Sequence, residues 1–331
     1  MLSQTDLSNL TKDDSVDHYL VIRKIESRTA KNGSDYLSLE LGDRSLSVNS
    51  NIWNNFESIY NNFKAGDIVI VKGVMDDYKG IPQINISSLK SVPESENVSI
   101  SDFLPRSKRN PEKMKKEFFD RIEKISDHRL KTLIKNVFNE DNFRKFSNSP
   151  AGKSWHHSYV FGLIEHTLEI IRICDLMCDI HPEINRDLLI SGAIMHDFGK
   201  TEELSVDASF NYTDKGKLLG HIVIAAMIIN EETKNISGFP EELKNNLLHL
   251  VLSHQGKLEF ASPVIPKTLE AITLYQADEL SAKVNAYKLA LSSEIKGDNK
   301  WTRFITLAAT DLHKHNLSPG TNDENGKTLF E

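Results

Sequence analysis

Cysteine is nearly absent from this chain: Cys174 and Cys178 are the only 2 in 331 residues. With no second pair and no CxxC spacing, a disulfide scaffold and a cysteine-built zinc ribbon are both ruled against. Four residues apart in IIRICDLMC, the two thiols share one face of an apolar helix and read as small buried hydrophobes. Long apolar runs are missing as well. None approaches the roughly 18 residues needed to span a bilayer. The opening MLSQTDLSNLTKDD is acidic and polar rather than a secretory leader, so no membrane partner and a cytoplasmic location are expected. Positive charge is not in surplus. A net charge of −7 argues against a surface coated for duplex binding. It leaves room for a single strand in a local groove, and the run Arg106, Lys108, Arg109, Lys113, Lys115 and Lys116 is the densest basic stretch. Internal repeats and low-complexity tracts are absent too.

What is present divides in two. A chain of 331 residues exceeds the usual size of one hydrophobic core. Between positions 15 and 95 the stretches YLVIRKI, YLSLEL, SLSVN, DIVIVKGVM and IPQINISSL alternate or run apolar, separated by turn signals at KNGSD, GDRS and DDYKG. SNIWNNFESIYNNFKAG, between the third and fourth, carries Ile52, Phe56, Ile59, Tyr60 and Phe63 at helical spacing. Five short strands with a helix after the third outline a five-stranded OB-fold barrel. Strand alternation sends Leu37, Leu39 and Leu41 into the barrel and leaves Tyr36 outside. Tyr36, Trp53, Phe56 and Tyr78 are the candidate base-stacking residues, against the alternative that they pack the core or rim.

Residues 96–112 are rich in Ser, Pro and charge and read as a linker. From 113 to 312 the chain reads as all-α, in MKKEFFDRIEKI, DHRLKTLIKNVF, HHSYVFGLIEHTLEIIRICDLMC, RDLLISGAIMHDFG, KLLGHIVIAAMIINEE, PEELKNNLLHLVLSH and PKTLEAITLYQADELSAKVNAY. Residues 313–331 form a polar, flexible tail.

Histidine marks the chemistry. Of 12 histidines, eight fall between His156 and His254, where apolar helices have little use for imidazole. In LLISGAIMHDFGK an apolar helix runs into His196-Asp197 and breaks at Gly199, and at a helix end both side chains can bend toward one interior point. A neutral imidazole beside a carboxylate suits a borderline or hard divalent ion. His166 lies in line with Val160, Leu163, Ile170 and Ile171, and Asp278 sits beside Ile272, Leu274, Tyr275 and Leu280. A buried unpaired aspartate is costly, so Asp278 needs a cation or a strong donor. His221 opens one apolar helix and His254 closes another. Each of these taken singly reads as a satisfied core polar group or a structural residue; together they read as a pocket. His18, His128, His181, His249, His313 and His315 lack such placement.

The order H…HD…H…H…D on helices resembles the HD superfamily of metal-dependent phosphohydrolases. The blocks HHSYVFGLIEHTLEI, ISGAIMHDFGKTEEL, TDKGKLLGHI, LSHQGKLEFASPVIPKTLEA and LYQADELSAKV, with an OB-type domain ahead of them, are similar to the YhaM-type 3′-to-5′ exoribonucleases over residues 15–310. That resemblance implies His166, His196, Asp197 and Asp278 as ligands of a main metal, with His221 and His254 completing a second site or touching the scissile phosphate. It implies Asp197, Lys200, His221 and His254 as the catalytic set, Lys200 facing the phosphate, and places His157 in the opening block, where it joins Tyr36, Trp53 and Tyr78 as a candidate nucleic-acid contact. Two departures stand out. His254-Gln255 replaces a His-His pair common among relatives, which puts a second ion in question, and LGDRSLSVNSNIW lacks the Asp-x-Thr-Gly turn associated with the third strand.

The resemblance implies one or two divalent ions, Mn²⁺ foremost and Mg²⁺ or Co²⁺ as alternatives. It implies hydrolysis of single-stranded RNA, with single-stranded DNA as a second substrate, to nucleoside monophosphates; homo-oligomer formation stays open. A phosphohydrolase of free nucleotides or cyclic dinucleotides is the rival enzyme reading. Against it, the Gly-Tyr-Pro element is missing, the nearest run being Gly238-Phe239-Pro240, and a barrel has no task with a mononucleotide. A catalytically inactive single-strand-binding protein is the third reading.

Overall fold

A computed structural model describes residues 4–317 apart from positions 79–80, 94, 97, 154, 208, 295–298 and 307. Its first strands are β1 (Ser15–Thr29), β2 (Asp35–Gly42) and β3 (Ser47–Ile52); after α1 (Glu57–Asn62) come β4 (Ile68–Tyr78) and β5 (Ile81–Ser91). They close a barrel in the order β1-β2-β3-β5-β4. The length of β1 makes closure possible: residues 15–21 pair with β4 and residues 21–29 with β2, across a register shift between Ile22 and Lys24. A parallel contact of Asn49 with Gln83 joins β3 to β5. This is the expected OB arrangement. Leu37, Leu39 and Leu41 are fully buried in one cluster with Leu20, Ile22, Val69 and Val71, as alternation requires.

The segment between β3 and β4 departs from expectation. Ile52 ends β3, and α1 is a short helix that begins only at Glu57. Phe56 is buried in the barrel cluster, because a large ring gains more from the closed apolar interior than from solvent. It is packing and not a stacking surface. Asp76, Asp77 and Tyr78 extend β4, whereas the rest of the DDYKG turn lies outside the described residues.

The linker expected over 96–112 is ordered where it is described. Phe103 and Val21 form a buried pair, and the Arg23 guanidinium donates to the carbonyls of Asp43 (2.7 Å) and Phe103 (3.3 Å). Leu104 packs with Val160 and Phe210. Two members of the basic run are ion-paired, Arg109 with Glu117 and Lys116 with Asp120.

The helical part runs through α2 (Pro111–Glu123), α3 (His128–Val137), α4 (Glu140–Asn148), α5 (Gly162–Ile180), α6 (Arg186–Met195) and α7 (Lys200–Glu203). A two-stranded hairpin, β6 (Leu204–Val206) and β7 (Phe210–Tyr212), leads to α8 (Asp214–Lys234), α9 (Glu241–Ser253) and α10 (Leu269–Glu294). Side chains of Asn110, Asp127, Asn139, Asn185 and Thr213 accept from free amides at the starts of α2, α3, α4, α6 and α8. The core joins Phe118, Phe146, Leu163, Leu189, Ile194 and Leu250, with Cys174 inside it and Cys178 against it. Several features were not expected from sequence: α4, α7, the hairpin, the described residues between 299 and 312, which carry the bridges Trp301–His313 and Ile305–Thr310 in place of the expected helix, and the non-helical course of HHSYVF. In that last stretch His157 and Phe161 take left-handed φ values of 42° and 68°, which no helix accommodates, so α5 starts at Gly162. Among the described residues no helix is long and apolar enough to cross a membrane. Of the tail expected over 313–331, positions 318–331 lie outside the described residues, and His313 bridges to Trp301.

Candidate metal centre

Helix ends converge on one hole. His196 and Asp197 follow directly on α6, and His254 directly on α9. Gly199 lets the turn after Asp197 dock on α8, since a Cβ there would stand 2.1 Å from the His221 carbonyl oxygen. Gly220 kinks α8 with φ 72° and ψ 154°, a backbone that essentially glycine alone adopts. The kink separates the first turns of α8 from the His221 helix and brings that imidazole to Asp197. His166 comes from the second turn of α5 and Asp278 from the third turn of α10.

Asp197 is the hub. Its Oδ2 lies 3.2 Å from His196 Nε2 and 3.7 Å from His166 Nε2, while Oδ1 lies 3.4 Å from His221 Nε2 and 3.6 Å from His254 Nε2. Asp278 Oδ1 stands 3.0 Å from His166 Nε2. The Lys200 ammonium donates to Asp197 Oδ2 at 2.6 Å. Two groups share Asp197, His166-His196-Asp197 and Asp197-His221-His254, and a third, His156-His157-His166, adjoins the first through His166; in each the ligand atoms lie within 4.8 Å of one another. His166 and His196 are wholly buried, and Asp197 and His254 nearly so.

Hydrogen bonds on the far side of each ring fix which nitrogen faces the hole. His196 Nδ1 donates to the Ala193 carbonyl (2.8 Å), His254 Nδ1 to the Val251 carbonyl (2.7 Å) and His221 Nδ1 to the Glu203 carboxylate (3.0 Å). A proton on Nδ1 leaves a bare lone pair on Nε2. Gln255 Nε2 lies 3.4 Å from the His221 Nε2 acceptor. His166 Nε2, His196 Nε2 and Asp197 Oδ1 are buried beside these neighbours with no hydrogen-bond partner. Three orphaned acceptor-type atoms around one hole would be costly in a merely structural core, and a cation satisfies all of them. The donor set, imidazole nitrogens with two carboxylates, fits a divalent transition ion.

The electrostatics agree. Burial lowers the His166 pKa to about 4 against the pull of Asp278, and burial likewise lowers that of His254, so both rings stand neutral at pH 7. Burial opposes charge on Asp197, yet Lys200 and His196 hold its carboxyl well below the ordinary range. Burial also opposes charge on Lys200, and Asp197 more than offsets it.

A family model for the HD domain matches residues 163–283, and one for an OB-fold nucleic acid binding domain matches residues 21–92. The chain is 32% identical over 318 residues to the 3′-5′ exoribonuclease YhaM of Geobacillus sp. (strain WCH70), covering 95% of this chain and 96% of that protein. The chain belongs to the YhaM family. The protein of that name from Bacillus subtilis (strain 168) is 32% identical over 91% of this chain and 95% of its own length. That of Listeria monocytogenes serotype 4b is 33% identical over 86% and 90%.

Within this YhaM-family chain, His166, His196, Asp197, Lys200, His221, His254 and Asp278 do come together. His157, expected as a nucleic-acid contact, presents no surface to a strand: it is wholly buried behind His166, ring centroids 5.1 Å apart, with Nε2 3.3 Å from Glu169 Oε2. On the barrel, Tyr36 and Trp53 stack at 4.6 Å, with Trp53 half exposed and Tyr78 exposed. Sequence reasoning missed His156, whose ring is 5.0 Å from His166 and which lines the cleft with Trp155, Tyr275 and Gln255. It also missed Glu203, Glu169 and Ser281. Glu169 stands three residues after His166 and Ser281 three after Asp278, so i+3 spacing on the same helices was the available signal.

Proposed function

We propose that this chain is a divalent-metal-dependent 3′-to-5′ exoribonuclease that trims single-stranded RNA to nucleoside monophosphates and accepts single-stranded DNA as a second substrate. Its parts would be the OB domain over 15–95, a connecting segment over 96–112, the catalytic HD domain over 113–312 and a C-terminal tail. The observation that carries this reading is the set of buried, unpaired atoms His166 Nε2, His196 Nε2 and Asp197 Oδ1 facing one hole in a chain that also holds an OB barrel. The names of the three relatives supply the polarity of attack and the polymer.

His166, His196, Asp197 and Asp278 would hold the main ion, Mn²⁺ suiting a mixed nitrogen and oxygen donor set. Asp197, His221 and His254 would hold a second. When bound, such a cation supplies Lewis acidity, drawing charge from a phosphoryl oxygen and making water nucleophilic near neutral pH. Lys200, fixed by Asp197, places a permanent positive charge beside the hole to offset charge gathering on the phosphoryl oxygens. His221 and His254 share that task where they do not ligate. The Tyr36–Trp53 stack offers a sequence-tolerant platform for bases upstream, with Tyr78 as a further aromatic contact. Two free thiols fit a reducing, cytoplasmic compartment.

The deciding experiment follows a 5′-labelled oligoribonucleotide, its DNA counterpart, a cyclic dinucleotide and a nucleoside triphosphate with Mn²⁺. Stepwise shortening of the RNA from its 3′ end is expected, lost in Asp197→Ala while gel-shift binding to the RNA persists. Undiminished trimming by that variant, or turnover of the small nucleotides alone, overturns the proposal.

A further inference from the structure

Three imidazoles of the centre donate Nδ1–H to a main-chain carbonyl or a carboxylate and so present bare Nε2 atoms. His166 differs. Its Nδ1 faces a hydroxyl, Ser281 Oγ at 3.0 Å, which by itself can either donate or accept. A hydroxyl that donated to Nδ1 would force the ring proton onto Nε2. Moreover, carboxylates crowd that side: Asp278 Oδ1 lies 3.0 Å and Asp197 Oδ2 3.7 Å from His166 Nε2. Left to those two neighbours, the proton belongs on Nε2, where it would block a cation.

The second contact of Ser281 resolves the direction. Its Oγ lies 2.7 Å from Glu169 Oε2, and a carboxylate only accepts, so the single hydroxyl proton is committed to Glu169. Ser281 must then accept from His166 Nδ1–H. We infer that Glu169 and Ser281 form a relay that fixes the Nδ1–H tautomer of His166, making them positioning residues for the metal centre. Glu169 acts as the counter-acceptor to Asp278 and Asp197 across the ring. One helix carries each end: Glu169 follows His166 by three residues on α5, and Ser281 follows Asp278 by three on α10. Packing of α5 on α10 thus delivers a ligand and its orienting partner together. The relay is of the outer-sphere kind that orients metal-bound histidines, whose loss costs roughly 10–100-fold in metal affinity.

This inference rests on the proposed metal centre, and its test separates the two. In the full-length, metal-free protein labelled with ¹⁵N-histidine, long-range proton–nitrogen spectra should show His166 protonated at Nδ1 and bare at Nε2. Ser281→Ala should move the proton to Nε2 or mix the tautomers, and lower Mn²⁺ affinity by roughly 10–100-fold in calorimetric titration. Ser281→Thr keeps the hydroxyl and should restore both. Glu169→Ala, which frees the hydroxyl to turn, should shift the tautomer as Ser281→Ala does, and it carries the test should the latter not fold. An unaltered His166 tautomer in both alanine variants overturns the relay. So does a threonine variant as impaired as alanine. Absence of Mn²⁺ binding by the unmodified protein would count against the metal centre, while the tautomer measurement would still decide the relay.

Discussion

Replacing Lys200 with Met should move stability, metal affinity and turnover in different directions. The ammonium sits 2.6 Å from Asp197 Oδ2, and both groups are buried. At an effective dielectric near 20 the gross attraction is about 6 kcal/mol, most of it spent on desolvating two ions. Removing one member of a buried pair typically costs 3–5 kcal/mol. The lower end, about 3 kcal/mol, applies here because His196 can take up a proton beside the abandoned carboxylate: burial works against its charge, but Asp197 raises its pKa. Metal-free Lys200→Met should therefore melt roughly 6–12 °C lower than the unaltered protein. Metal changes the balance. An ammonium on a ligand oxygen competes with a cation for it, so the variant should bind Mn²⁺ at least as tightly. Its thermal shift on adding Mn²⁺ should be no smaller, with about 2.7 kcal/mol gained at a hundredfold excess over Kd. Turnover should nevertheless fall about 10²–10³-fold, the usual loss when one preorganised donor to developing negative charge is removed. Differential scanning fluorimetry with and without Mn²⁺, beside single-turnover trimming of an end-labelled RNA, measures all three. A smaller Mn²⁺ shift would mean that Lys200 supports the ion rather than competing with it. Full turnover would reduce the residue to a structural counter-charge.

Gly220→Ala meets no atom within 4 Å, so its cost is conformational, about 1–3 kcal/mol at φ 72°, and it should displace His221; an unchanged melting temperature together with unchanged Mn²⁺ binding would contradict the kink's role. Trp53→Ala should weaken single-strand binding by about 1–3 kcal/mol, raising KM while leaving kcat on a saturating substrate, and unaltered affinity in fluorescence titration would remove Trp53 from the contact surface. Gln255→His places an imidazole where the amide lies 3.4 Å from His221 Nε2 and should raise the bound-metal stoichiometry measured after dialysis. Stoichiometry equal to that of the unaltered chain would show that position 255 does not limit the second ion.

Much of the fold was legible because it rests on short-range rules. Alternation in YLSLEL set Leu37, Leu39 and Leu41 inward, and Asp127 at the head of DHRLKTLIKNVF marked the start of α3. Where the rules are weak, reading failed. The helical spacing of Ile52 and Phe56 was overridden by strand pairing and barrel closure, and α4 offers just two buried residues, Phe143 and Phe146, too few for a clear period. HHSYVF reads as helix, but the left-handed turns at His157 and Phe161 sit in a stretch held by distant partners: His157 N–H donates to Asn285 Oδ1 at 2.9 Å and Val160 N–H to the Pro105 carbonyl at 2.8 Å.

For the site itself, the sequence by itself determined the chemistry on offer: histidines and aspartates at helix ends and on inward faces, where an apolar core has no use for them unless a cation balances them. Residue type and helical period are local, so they survive in one dimension. Only the tertiary structure decided how those groups are aimed. That Asp197 serves both clusters, that Glu203 turns His221, that His156 enters the cleft and that Glu169 and Ser281 stand behind His166 all depend on which helices pack together. Contacts more than a hundred residues apart, such as Ser281 on His166, are fixed by the joint burial of α5 and α10, and no local pattern encodes them.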